Sequence, residues 1–226
     1  NDYRGVRSMS LAMFDLDNNL IGGDSDYLWG EFLCEEGIIV DPVSFQKMNE
    51  NFYQQYEIGK LDIYAWAEFS FKVLTEYSLD KLYELRQNFI QQKIEPIFLE
   101  KAQSCINQHK EKGDTVLVIT ASNSFITAPI AEMYGIDHLL ATEPEFKSGR
   151  FTGKVSRIPC FQSGKIDNLM PWLDKNGENL IGSCFYSDSH NDLPLLELVD
   201  NPVAINSDKV LTSVALENGW PVLNWR

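Results

Sequence analysis

No apolar run in this sequence approaches the ~18 residues a membrane-spanning helix needs, so no membrane segment is read from it. Basic residues are scarce: 19 lysines and arginines stand against 33 acids, for a net charge of −14. That balance argues against a nucleic-acid partner, since a phosphate backbone is held by clustered lysine and arginine. The four cysteines, Cys34, Cys105, Cys160 and Cys184, include no C-x-x-C pair and no dense framework. Reduced thiols in a cytoplasmic protein are therefore favoured over a disulfide scaffold. Internal repeats and low-complexity segments are also missing. The opening residues NDYRGVRS lack the apolar stretch of a signal peptide. Met9 is a candidate natural start, and the eight residues before it are left out of the fold.

What remains is a chain of 226 residues, long enough for one hydrophobic core and a smaller second module. SLAMFD (10–15), TVLVIT (115–120), LIGSCFYSD (180–188) and PVAIN (202–206) are short apolar runs that stop at polar residues, with HLLAT (138–142) a weaker fifth. Such runs suit buried parallel strands. Helical patterns separate them at 96–112, 123–134, 162–175 and 207–218, and FKSGRFTGKV (146–155) reads as a hairpin. Alternation of this kind predicts an α/β fold around a mainly parallel sheet. Residues 22–95 break the rhythm. They hold only amphipathic patterns, so an all-helical insert of about four helices is expected there. Its aromatics, Trp29, Phe52, Tyr53, Tyr56 and Trp66 among them, fall at helical spacing and are expected to form bundle core.

Ligands of doubly wound sheets bind outside the carboxyl ends of the strands. There the predicted strands end in Asp15 and Asp17, Thr120, and Asp188 and Asp192, with Lys165 opening a helix toward the same edge. Asp15 and Asp17 share one side of an extended strand because side chains alternate with period two. Clustered carboxylates need a cation, and an oxygen-only set without histidine or cysteine suggests Mg²⁺. Lys165, the Thr120 hydroxyl and backbone N–H groups beside them, at Ala121, would bind an anion. The inventory fits phosphoryl transfer, in which positioning and charge neutralisation supply most of the catalysis. Blander roles compete: Thr120 or Asp24 as helix caps, Lys165 as an exposed helix residue, Asp192 as a helix N-terminal acid.

The ordered set of D-x-D, strand-ending Thr, Lys and D-x-x-x-D resembles the haloacid dehalogenase (HAD) superfamily. GDSDYLW, TAPIAEMYGIDHLLATEPE, GRFTGK, PCFQSGK and FYSDSHNDLPLLE resemble its subfamily IB, phosphoserine phosphatase-like and histidinol-phosphatase-like hydrolases. The resemblance runs from Ser10 nearly to the end. It implies a Rossmannoid parallel-sheet core (9–21 and 96–226) with a helical C1 cap inserted after the first strand (22–95). It further implies an Mg²⁺-dependent phosphomonoesterase acting on a small phosphorylated metabolite. Asp15 would be the nucleophile and Asp17 the general acid–base. Asp15, the Asp17 carbonyl, Asp188 and Asp192 would hold the metal. Thr120, Ala121, Lys165 and Asn191 would hold the phosphate, and Asp24, with Asp26 nearby, would meet a substrate amine as in phosphoserine or histidinol phosphate. A carboxylate-binding arginine has no clear match; Lys60 and Arg86 are the candidates. One position departs from the pattern, because Asn19 stands where Thr or Val is usual. That substitution keeps open a low-activity binding or regulatory protein, and a phosphotransferase that hands the phosphoryl group to an acceptor other than water is a separate alternative.

Overall fold

The computed structural model describes residues 9–226, and the leader expected over residues 1–8 lies outside them. Among the described residues eight strands form: β1 (Leu11–Phe14), β2 (Thr115–Asn123), β3 (His138–Thr142), β4 (Pro144–Lys147), β5 (Arg150–Val155), β6 (Cys184–Ser187), β7 (Asn201–Ile205) and β8 (Val222–Leu223). Six make one parallel sheet in the order β3-β2-β1-β6-β7-β8, while β4 and β5 form an antiparallel hairpin. The chain runs from β1 outward to both sides, so β1 lies at the point where strand order reverses. Crevices at such points are where doubly wound sheets bind ligands.

Alternation along each strand builds two cores. Ala12 and Phe14, Val116 and Val118, Tyr186, Val203 and Ile205 face one side. Leu11 and Met13, Leu117 and Ile119, Phe185 and Ala204 face the other. The first face is covered by α5 (Glu100–Lys112) and α6 (Ser124–Met133), the second by α7 (Ser163–Asn176), α8 (Leu193–Leu196) and α9 (Lys209–Asn218). Burial on both faces is why these strands read as unbroken apolar runs.

Between β1 and α5 lie α1 (Ser25–Glu35), α2 (Pro42–Glu57), α3 (Ile63–Glu76) and α4 (Leu79–Phe89), followed by a π turn at Ile90–Ile94 and a 3-10 turn at Glu95–Ile97. Each of the four helices starts at a side-chain cap, Asp24, Asp41, Asp62 and Ser78, accepting a first-turn N–H; such caps are worth about 1 kcal/mol each. The segment leaves and re-enters at one place, where Gly22 N donates to the Ile97 carbonyl (2.8 Å) and Leu99 N to the Leu20 carbonyl (3.2 Å). The hairpin leans on it, with Gly153 packed at Thr75 of α3.

Some boundaries differ from expectation. The run at 180–188 is strand only over Cys184–Ser187, because a turn at Leu180–Ser183 with Gly182 in the left-handed region precedes it. The helix expected from residue 96 starts at Glu100, since Pro96 is taken up by the 3-10 turn. β2 continues three residues past Thr120, and β8 was not anticipated from its two residues.

Candidate active site

β1 ends at Phe14, and the chain stays in the sheet for one more residue because Asp15 N donates to the Tyr186 carbonyl (2.9 Å). This fixes the Asp15 carboxyl at the carboxyl edge, where its Oδ1 accepts from Leu16 N (2.8 Å) and meets Lys165 Nζ (3.2 Å). Asp17 is gripped from two elements. Ser25 N, in the first turn of α1, donates to its Oδ1 (2.6 Å), and the Ser122 hydroxyl donates to its Oδ2. Asn18 turns the chain in the left-handed region that asparagine tolerates.

Lys165 is 1% exposed. Its ammonium lies 2.7 Å from Asp192 Oδ1 and 2.8 Å from Asp192 Oδ2, and the Ser187 hydroxyl also donates to Oδ2 (2.6 Å). Asp192 is thus the anchor that aims Lys165 at Asp15. Asn191 Nδ2 donates to the Tyr56 carbonyl of α2 (2.9 Å), and its Oδ1 accepts from Gln162 Nε2 (3.0 Å). It therefore stitches the helical insert to the sheet edge. Asp188 stands across from Asp15, with Oδ1 accepting from Asn19 Nδ2 (2.8 Å).

One lysine among so many buried carboxylates leaves the site short of positive charge. Burial is the main cause that pushes the Asp15 and Asp17 carboxyls up to about 7, with neighbouring carboxylates adding to it and Lys165 opposing it at Asp15. Burial, then Asp15 and Asp192, raise Asp188 well above the usual carboxylate range. Lys165, held by Asp15 and Asp192 against its own burial, is raised.

Beside these groups opens a cavity where the sheet edge meets the helical insert. Of the predicted residues, Asp15, Asp17, Asp24, Thr120 and Ala121 line it. Lys165, Asp188, Asp192 and Asn191 do not; Lys165 touches the lining at Asp15 and Asn191 at Tyr56. Thr120 is not the cap of α6, a job done by Asn123, whose Oδ1 accepts from Phe125 N (2.9 Å). Asp24 does cap α1, accepting from Tyr27 N (2.8 Å), and lines the cavity as well. Arg86 is occupied elsewhere, donating to the Phe125 carbonyl (2.9 Å) between the Tyr83 and Phe125 rings. Lys60 is exposed. Neither lines the cavity.

Among the lining groups, Ser122 was missed from sequence, and Asp26 was expected only as a neighbour of Asp24. Ser122 lies two residues past the strand-ending Thr120. Asp26 accepts from Asn123 N (3.2 Å) through one oxygen and leaves the other, buried, without a partner. Burial and Asp17 push Asp26 up to about 8, and burial and Asp26 push Asp24 up to about 7. The aromatics divide: Trp29 and Phe71 are core as expected, Trp66 is core and lines the cavity as well, Phe52 packs against the core from the cavity wall, and Tyr53 and Tyr56 face the cavity. The spacing 49, 52, 53, 56 on α2 could have flagged them, because it puts Asn49 on the same face, yet a helix face toward a cavity and one toward a core share a period. Cys160 is buried against the Leu140 carbonyl, and its thiol is pushed up to about 12 by burial, which makes it inert. His190 points away, with Nδ1 2.8 Å from Asp208.

A family model described as haloacid dehalogenase-like hydrolase matches residues 12–197. The "Histidinol-phosphatase" of Neisseria meningitidis serogroup C is 42% identical over 221 residues, covering 96% of this chain and 99% of that protein. A crystal structure of a protein of unknown function from Bordetella pertussis Tohama I superposes with a TM-score of 0.91 at 38% identity, covering 96% of this chain and 99% of that one. A substrate-bound phosphoserine phosphatase superposes at 0.71 with 17% identity, over 97% of this chain and 94% of that one, which shows a shared fold. No helix among the described residues is long and apolar enough to cross a membrane.

Proposed function

The chain belongs to the haloacid dehalogenase-like hydrolases and is a phosphoric monoester hydrolase; on that premise we propose that it cleaves the phosphate ester of a small cationic amine lacking a carboxylate. The observation that carries this is the cavity lining. Asp24 and Asp26 offer two carboxylates to an ammonium or imidazolium, aromatic faces surround them, and no lysine or arginine lines the space. Cations are held by carboxylates and by aromatic faces. A substrate carboxylate would instead lie among acids with no partner, at the cost of a buried unpaired charge. Histidinol phosphate meets the requirement and phosphoserine does not. The name of the Neisseria relative agrees.

Chemistry would start with Asp15, whose carboxylate attacks phosphorus in line, forming an Asp15 O–P bond as the ester P–O bond breaks. Asp17, held by Ser25 N and Ser122, gives its proton to the departing alcohol oxygen. It then takes a proton from water, whose oxygen attacks phosphorus and frees Asp15. Lys165, Thr120 and the Ala121 N–H would hold the phosphoryl oxygens. The donor set fits Mg²⁺: every group is a hard oxygen, and of three buried carboxylates Asp15 and Asp192 share Lys165 while Asp188 is met by the neutral Asn19 amide. Among the described residues no three acidic, histidine or cysteine side chains close a cage on their own, as suits an ion that keeps waters and shares substrate oxygens. Asp15, Asp188 and the Asp17 carbonyl would hold it, while Asp192 acts through Lys165. When bound, it would neutralise charge on the transferring group. We take residues 22–95 as the cap over a core of 9–21 and 96–226, supported by the paired entry and exit strands. A cytoplasmic setting accords with four free cysteines.

The test is kcat/KM for histidinol phosphate against phosphoserine with Mg²⁺ present. The expected result is a preference for histidinol phosphate of about 10²-fold or more, the scale set by leaving a buried polar group unpaired. Equal or better turnover of phosphoserine would overturn the assignment. Slow turnover of every ester would favour the regulatory alternative, and phosphorylated added alcohols among the products would favour a transferase.

A further inference from the structure

Asn19, the residue that departs from the family pattern, is fully buried, and its amide touches the two oxygen donors contributed from opposite sides of the site. Nδ2 donates one hydrogen to the Asp17 carbonyl oxygen (3.1 Å) and the other to Asp188 Oδ1 (2.8 Å). Its own Oδ1 is buried without a hydrogen-bond partner. The orientation is forced, since turning the amide over would set its oxygen against two other oxygens. The chain thus leaves one buried acceptor unpaired and in return ties the loop after β1 to the loop after β6, 169 positions apart. A threonine has one hydroxyl hydrogen and could hold one of these acceptors, and a valine neither. Each acceptor keeps a free lone pair, so the N–H contacts orient the oxygens without using them up.

We infer that Asn19 is a positioning residue for the divalent cation, clamping the Asp188 carboxylate and the Asp17 carbonyl in the arrangement that receives it. The inference rests on the assignment of those two groups as metal ligands. Hydrogen bonds to ligating carboxylates and carbonyls fix their direction, and losing such a partner typically lowers metal affinity about 10- to 100-fold. In this chain the departure at position 19 therefore tightens the cation site and leaves the reacting groups untouched.

The experiment is a titration of the substrate-free protein with Mn²⁺, followed by the electron paramagnetic resonance signal of the free ion, with Mg²⁺ as competitor. The wild type, Asn19→Thr and Asn19→Val are compared, and the melting temperature of each is recorded without metal. The expected result is a dissociation constant raised about tenfold or more by Asn19→Val, with Asn19→Thr in between. The metal-free melting temperature should fall modestly alongside, because Asp188 Oδ1 and the Asp17 carbonyl lose their donor. Unchanged or tighter binding in both variants overturns the inference, as does a fall in metal-free melting temperature with binding intact, which marks a purely structural residue. If Asn19→Val does not fold, Asn19→Thr decides by the same criterion. Absence of Mn²⁺ and Mg²⁺ binding by the wild type would strike the metal assignment itself, a different failure.

Discussion

At the scale of single residues the account turns on which carboxylates react and which recognise. Asp15→Asn removes the attacking oxygen but keeps the side-chain shape and one acceptor. Turnover of an aryl phosphate should fall by about 10⁴-fold or more, with the fold intact by circular dichroism; a loss of tenfold or less would remove Asp15 from the chemistry. Asp26 lines the cavity and keeps one buried carboxylate oxygen without a partner. Asp26→Asn should raise KM for histidinol phosphate about tenfold or more while leaving KM for an amine-free aryl phosphate within about twofold, given the worth of a desolvated charge contact. Acidity adds a signature. Asp24 and Asp26 are pushed up to about 7 and about 8, so they are neutral below that range and anionic above it. The ratio of the two KM values should therefore shift toward the amine substrate as pH rises through about 7 to 8; a flat ratio contradicts the recognition role. Residue-level legibility was uneven for a physical reason. Asp15, Asp17, Thr120 and Lys165 stand in short motifs at strand ends and helix starts, where position implies convergence. Ser122 sits one step beyond such a motif, and only the fold shows it meeting Asp17; Asp26 was legible as a neighbour of Asp24, and the fold adds its contact with Asn123 N.

Elements explain why the groups converge. α7 must begin close under the loop before it for Lys165 to reach Asp15, and Gly164 permits that. A Cβ there would lie 2.2 Å from the Pro159 carbonyl oxygen, well inside contact distance. Gly164→Ala should cost about 1–3 kcal/mol of stability, as overpacking does, and should lower kcat as well, because Lys165 follows directly on the displaced backbone. Denaturant melts and steady-state rates would check both, and a variant with wild-type kcat would show that the start of α7 is not what places Lys165. The parallel strands were readable because burial on both faces leaves continuous apolar runs. The start of the 180–188 run was not, because Leu180 and Ile181 are apolar yet belong to a turn whose geometry Gly182 sets. On α2 only Asn49 is buried. Its aromatic face was legible as a face, though not as the wall of a cavity.

For the whole molecule, a strongly acidic chain concentrates carboxylates where sheet and helical insert meet. Asp24 and Asp26 have folded-state values raised above the unfolded 3.8. Between about pH 4 and pH 8 the folded protein therefore binds more protons than the unfolded chain, and its stability falls as pH rises across that window. The metal-free melting temperature should be higher near pH 5 than near pH 8, and a cationic substrate or product amine should recover part of the loss at the upper end. A melting temperature that rises over this interval would contradict the burial of these groups. Asn191 joins insert to core through the Tyr56 carbonyl, so the site is complete only with both parts in place.

The claim at the centre is that Asp15 carries the phosphoryl group. It is tested most directly by quenching the enzyme during steady turnover of an aryl phosphate, reducing it with borohydride and sequencing the peptides by mass spectrometry. Acyl phosphates are reduced to the alcohol, so the account predicts homoserine at position 15, dependent on substrate and absent from Asp15→Asn. A reduced residue at any other position, or none under conditions that trap a known acyl phosphate, would contradict it.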